Sequence, residues 1–531
     1  MPIEVSYPGV YAEELPSNSH SIAPVVTNIT AFVGRAISGA VEEPTPIFNF
    51  QDFRRYFGGL QHDYPMSYAV QDFFENGGGQ ALIIRLFEPA IGRGAARLSF
   101  QCPLTLQAAD PGRWGNMLSA KIDTNGINEQ TAAQFKDQYG IGKDDLFNLT
   151  LTLTDSKGKA VSVERYLNLS VSMEGKRRTF PNRLDKILAA ESSLARVSHM
   201  PETPPGDGET AQGVDGDDGT YLQPSTYLGS RRAKTGIYAL DKCELFNLLC
   251  IPPDRRLLPD LPQSEWDLPS SVRSAAAQYA AEARAFYIID PISEWVDKAK
   301  RGELSDIHPS QLGIDGGTPS DGKVGRNCAV YFPRIIKEDP VNGDEALFPA
   351  CGAISGAIAS NDVACGVWNS PAGATAGLSG VVRLELDLSD DDNSHLNSLG
   401  INCLRTFPKI GPTIWGARTL RGADANEDEF QYIAIRRLCL FVEEALYCGT
   451  QWAVFQPNNE ALWSSLRLGV GTFLAGLGKQ GALYNYTVQC DATNNTLDSI
   501  EQGIVIITVR IAPVDPTEFI TLQIQHSVLP V

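Results

Sequence analysis

Residues 317–323 (Gly-Thr-Pro-Ser-Asp-Gly-Lys) carry the glycine and lysine spacing of a phosphate-cradling loop. Such a loop needs a Ser or Thr after the lysine to offer a hydroxyl to Mg²⁺, and it needs a strand before it and a helix after it. Val324 stands where the hydroxyl should be, residues 310–313 are not an apolar strand, and Gly325-Arg326 does not open a helix. A surface loop is the better reading. The six histidines, at 20, 62, 199, 308, 395 and 526, include no i, i+4 pair and no ligand-spaced cysteine, so zinc lacks its set. No G-x-S-x-G elbow marks a nucleophile. Asp390-Asp391-Asp392 and Asp215-Gly216-Asp217-Asp218-Gly219 could attract Ca²⁺. His395 replaces the glycine an EF-hand loop needs, the second run lacks its downstream glutamate, and both read as solvated loops. Gly77-Gly78-Gly79 runs helix to strand, the reverse of a phosphate-binding order, and reads as a turn. No catalytic, cofactor or metal site emerges.

The informative feature is a pair of strand-like tails. At the start Ile3, Val5 and Tyr7 alternate with Glu4 and Ser6 before a Pro8-Gly9 turn; at the end Ile520, Leu522 and Ile524 alternate with Thr521, Gln523 and Gln525. Twenty extended residues reach about 66 Å, far beyond a normal terminal strand. A single copy would leave the tails dangling or fold them back as its own edge strands. An assembly would insert each into a neighbour's sheet, and such head-to-tail insertion generates rings or helical polymers.

Between the tails, strands alternate with helices. Strands are expected at 27–33, 81–87, 245–251, 286–290 and 328–332, and helices at 52–56, 66–75, 271–283, 432–447 and 461–477. That rhythm predicts β-α-β units on one sheet. Residues 98–232 are richer in polar alternation and read as an inserted, mostly β domain. Within it, 201–219 is acidic, Pro/Gly-rich and apolar-poor, hence a mobile surface loop. The expected architecture is multidomain, α/β and α+β. An arm (1–20) leads into an α/β body (21–97 and 233–400) carrying the insertion. A second strand-like arm (516–531) follows residues 401–515. The sheet expected to receive the arms includes Tyr486, Val488, Val505, Ile507 and Val509.

The 531 residues hold 63 acidic and 44 basic side chains, a formal net charge of −19. That balance opposes general nucleic-acid binding and polybasic docking on anionic lipid. The first residues lack a secretory signal's basic and apolar regions, and no apolar run is long enough to span a membrane. The ten cysteines show no C-x-x-C spacing and read as buried free thiols of a reducing cytoplasm.

Ordered blocks then carry a resemblance. They begin with Tyr7-Pro8-Gly9-Val10-Tyr11-Ala12-Glu13-Glu14, Ala31-Phe32-Val33-Gly34-Arg35-Ala36 and Pro111-Gly112-Arg113-Trp114-Gly115-Asn116. Gly366-Val367-Trp368-Asn369-Ser370-Pro371 and Trp415-Gly416-Ala417-Arg418-Thr419 follow, and Gly449-Thr450-Gln451-Trp452-Ala453-Val454-Phe455 lies in the closest run. Together they resemble the sheath proteins of contractile phage tails and related injection systems, over about residues 7–525. Cys448 replaces the family's usual basic residue. The resemblance implies a C-terminal α+β domain at 401–515. It also implies stacked hexameric discs around an inner tube, joined by exchanged arms, that contract to drive the tube through a target envelope without nucleotide turnover. It implies as partners the chain itself, the inner tube protein, baseplate and terminal cap proteins, and sheath paralogues where a particle has them, with no nucleic acid and no membrane insertion. It places assembly in the cytoplasm, in a tail or tail-like particle that is released or anchored through its baseplate. Glu460, Arg467 and Lys479 are the polar candidates on a tube-facing helix. The alternatives are a binding or adhesin module of a phage-like particle and a nucleotide-using enzyme built on residues 317–323.

Overall fold

The computed structural model of the chain describes residues 20–91, 94–155, 157–171, 175–256, 266–314 and 324–518. Its centre is an eight-stranded sheet made from β1 (Ile29–Gly34), β2 (Thr45–Ile47), β3 (Gln80–Arg85), β4 (Leu248–Cys250), β5 (Phe286–Ile289), β6 (Cys328–Phe332), β7 (Asn402–Phe407) and β8 (Gly411–Ile414). The spatial order is β8-β7-β6-β5-β4-β1-β3-β2. From β7 to β3 every neighbour is parallel; β8 and β2 close the edges antiparallel. Parallel strands covered on both faces must be apolar at every position. β1, β5 and β6 are buried throughout. Alternate side chains enter two separate cores, Ala31 and Val33 on one side and Phe32 on the other. The fold is mixed α/β.

Helix α1 (Pro65–Glu75) starts on a proline at its first position and ends before Gly77, whose φ of 91° suits only glycine without strain. It packs on α2 (Cys351–Cys365) at very short range. A Cβ on Gly352 or Gly356 would overlap the carbonyls of Ala69 or Phe73. Helix α3 (Ile433–Thr450) and helix α4 (Glu460–Lys479) form a separate layer, with Leu438, Phe441, Val442, Val470, Phe473 and Leu474 between them. Asn459 caps α4 by accepting from Leu462 N at 3.1 Å.

Residues 97–212 supply two further antiparallel sheets over a core of their own. That stretch also holds helices Glu129–Tyr139 and Leu184–Glu191. The acidic 201–219 segment departs from the mobile-loop expectation. Its Thr210–Gln212 strand pairs with Leu118–Asp123, and Ala211 is buried. Its carboxylates serve as backbone acceptors: Glu209 takes Gly206 N and Cys102 N, and Asp218 takes Arg113 N. Asp390-Asp391-Asp392 also differ from a solvated loop. They form the first turn of helix Asp390–Ser398, with Ser389 and Asp392 as a capping box. Acidic side chains favour that end of a helix dipole.

All ten cysteines are free thiols. Cys250, Cys328, Cys351, Cys403 and Cys490 are buried, whereas Cys365 and Cys448 are exposed, contrary to a uniformly buried set. Burial pushes the Cys243 and Cys439 thiols up to about 11 and Cys403 up to about 12, the opposite of an activated nucleophile. Among the described residues no group of three His, Cys, Asp or Glu could hold a metal, and no helix is long and apolar enough to cross a membrane.

Candidate functional site

Beside α3 and α4 lies a ribbon of only two strands, β9 (Leu483–Gln489) and β10 (Thr508–Pro513). They run antiparallel, with Tyr486 opposite Ile511 and Val488 opposite Val509. These four side chains pack partly buried on the α3/α4 core. The ribbon's outer edges pair with no strand among the described residues. A two-stranded sheet is marginal alone, and each open edge presents a row of unpaired N–H and C=O groups.

Val505 and Ile507 are not in this ladder, which corrects their assignment to the receiving sheet. Ile506 N donates to Asn495 Oδ1 at 2.7 Å, and Asn494 and Asn495 each donate to Ile506 O at 3.1 Å. The two asparagines thus replace a strand partner, and β10 begins only at Thr508. Val505 and Ile507 instead pack with Leu462, Trp463, Leu466 and Cys490.

The chain enters the described region next to this ribbon. His20 stacks on Trp452 with ring centroids 3.7 Å apart and an 18° interplanar angle. Ile22 is buried in the same core that carries Tyr486 and Val488, close enough to Gly449 that a Cβ there would strike it. Further on, Arg437 on α3 forks onto Asp362 on α2 at 2.7 and 2.6 Å and donates to Thr27 O at 2.9 Å, while Thr27 Oγ1 donates to Asp362 at 2.8 Å. This buried cluster rivets the first described residues to two helices. Single-sequence patterning gave no sign of it, because its members lie up to 410 residues apart.

Of the tube-facing candidates, Glu460 and Lys479 are exposed, but Arg467 is committed within the chain. It pairs with Glu460 at 2.7 Å and donates to the Cys490 carbonyl. The outward face of α4 is otherwise Ala461, Ser464, Leu468 and Thr472, all exposed. The α3–α4 connection carries Phe455, fully exposed and held at φ 65°. An aromatic side chain in that left-handed region is strained. Ile3, Val5, Tyr7, Ile520, Leu522 and Ile524, and also residues 317–323, lie outside the described residues.

Comparison with known proteins places two family profiles on the chain: the phage tail sheath protein central domain on residues 324–420 and the phage tail sheath C-terminal domain on 425–527. The tail sheath protein of Vibrio phage KVP40 is 27% identical over 269 residues, 48% of this chain and 39% of that one. The tail sheath protein of Enterobacteria phage T4 is 28% identical over 186 residues, 35% of this chain and 28% of that one. The match thus spans well under half the length of these curated relatives. Among solved structures, the anti-feeding prophage helical sheath in its contracted state matches with a TM-score of 0.56 at 20% identity, covering 98% of this chain and all of that one. A Listeria innocua sheath tail protein matches with a TM-score of 0.58 at 12% identity over 93% of this chain and 96% of that one. These structures share the fold.

Proposed function

The chain belongs to the contractile tail sheath family, and we propose from that premise that it is the structural subunit of a contractile sheath in a phage tail or tail-like particle. Subunits stack as hexameric discs around an inner tube, and each chain's two tails add strands to neighbours' ribbons. Contraction is then a rigid-body change between two packings of one chain, with no bond chemistry in the subunit.

The observation that carries this reading is the β9–β10 ribbon, whose two outer edges pair with no strand among the described residues. A backbone ladder fits it because main-chain hydrogen bonds supply affinity while alternate side chains set register. Net charge of −19 on every copy opposes attraction between whole subunits, so ladders are the better glue. The body (21–97 and 233–400), the 98–232 insertion, the C-terminal domain (401–515) and the two arms serve as working divisions. The outward face of α4, ending at Lys479, is assigned to the tube. Self, tube, baseplate and cap proteins are the partners; the solved neighbours include an anti-feeding prophage baseplate.

The test is deletion of residues 1–16. Folded chains that cannot polymerise are expected; normal tubes from the truncated chain would remove arm exchange from the account.

A further inference from the structure

Glu518 sits five residues beyond Pro513, the end of β10. Its carboxylate lies not against the ribbon but in a seat formed by Asn397, Arg418 and Tyr432. Arg418 forks onto it, Nε to Oε1 at 3.0 Å and Nη2 to Oε2 at 2.6 Å. Asn397 Nδ2 donates to Oε1 at 2.6 Å, and the Tyr432 hydroxyl donates to Oε2 at 3.1 Å. A forked guanidinium with two further donors saturates both carboxylate oxygens.

Arg418 is also held by contacts that do not involve Glu518. The Arg418 side chain is only 4% exposed. Its remaining nitrogen donates to the Asn397 carbonyl at 3.1 Å, the Gly422 carbonyl at 3.1 Å and Asp424 at 2.6 Å. Its backbone N–H donates to Asn402 Oδ1 at 2.7 Å, which ties it to β7. A buried cation held this way has one fork left, aimed at a carboxylate that the chain delivers from 100 residues away. Burial by itself would raise the Glu518 carboxyl; the Arg418 and Asn397 hydrogen bonds and the guanidinium charge outweigh it and hold the group below its ordinary value.

We propose that Glu518 is a positioning residue whose seating in the Arg418 pocket fixes where the following chain leaves the subunit. Without the seat that departure point retreats to the end of β10. The five intervening residues would then lengthen the tether by about 17 Å at full extension. The consequence for neighbour spacing rests on the arm-exchange reading; the seat itself does not.

Amide hydrogen exchange on the unassembled chain judges the seat. The hydrogen-bonded amides beside the seat, Arg418 to Asn402 Oδ1 and Ile433 to the Ala417 carbonyl, are expected to be protected, and Glu518→Ala to reduce that protection at least about ten-fold, the scale of lost charge-assisted hydrogen bonds. Asn397→Ala, which leaves Arg418 in place, should give a smaller loss, and amides of β9 should be unchanged in both. Unchanged protection of the Arg418 and Ile433 amides in Glu518→Ala would overturn the seat. In assembled material, Glu518→Ala should broaden the distribution of disc spacings measured by electron microscopy; an unchanged distribution would overturn the positioning role. Truncation after Glu518 separates this from the larger reading: normal polymers from that chain would count against arm exchange and leave the exchange experiment decisive for the seat.

Discussion

Asp362→Ala should loosen the first described residues and α3 together. The Arg437 and Asp362 side chains are 4% and 1% exposed, and the pair is forked at 2.7 and 2.6 Å. Removing one member of a buried pair strands the other charge without solvent, a cost of about 3–5 kcal/mol. The Thr27 hydroxyl loses its acceptor at the same time. At 1.36 kcal/mol per decade, the cost corresponds to about two to four orders of magnitude in protection of the α3 amides against exchange. Native-state hydrogen exchange suits the question better than a melting curve, because a chain with several separate cores does not unfold in one step. Replacing both members, Asp362→Ala with Arg437→Leu, should recover most of the loss, since the buried charge is then gone. A single substitution costing less than about 1 kcal/mol, or a double one as damaging as the single, would refute the assignment of a desolvated, mutually dependent pair.

Two glycines should respond oppositely to alanine. Gly352→Ala forces a methyl into the Ala69 carbonyl and should destabilise the α1–α2 contact by about 1–3 kcal/mol. Gly471→Ala meets nothing within 4 Å in mid-α4 and should stabilise by about 0.5–1 kcal/mol; local exchange rates check both. The Glu518 carboxyl lies below its ordinary value of 4.5, so its contribution is fully present above that value. It is lost as pH falls through the lower folded value, and protection of the Arg418 and Ile433 amides, taken relative to their intrinsic exchange, should fall on acidification in that window only. Lys479→Glu should weaken co-purification with the tube while leaving the fold intact. Arg467→Glu should also disturb the α4 contact to Cys490, because that guanidinium is already engaged there.

The elements legible in the sequence were those with one dominant period or a fully apolar run. β1 and β6 read as strands, and α1, α3 and α4 as helices, within a few residues of their observed ends. α2 was not read as a helix because Cys351–Cys365 is small and apolar on nearly every side, leaving no stripe to detect. The strand at 210–212 was masked by acidic neighbours whose real role is to accept local backbone N–H groups. The start of β10 was misplaced because apolar alternation continues back to Val505, while Asn494 and Asn495 decide where the ladder begins. The Arg418–Glu518 fork and the Arg437–Asp362–Thr27 cluster were illegible for another reason. Charged residues carry no period, and partners so far apart meet only after the fold is formed.

In the proposed assembly the ribbon is an unfinished sheet completed by other copies. Cryo-electron microscopy of the assembled polymer, at a resolution that traces strands, tests it most directly. Added strands, continuous with tails of neighbouring subunits, are expected on the outer edges of β9 and β10. Edges that stay unpaired in the polymer, or are closed by the same chain's own tails, would contradict it.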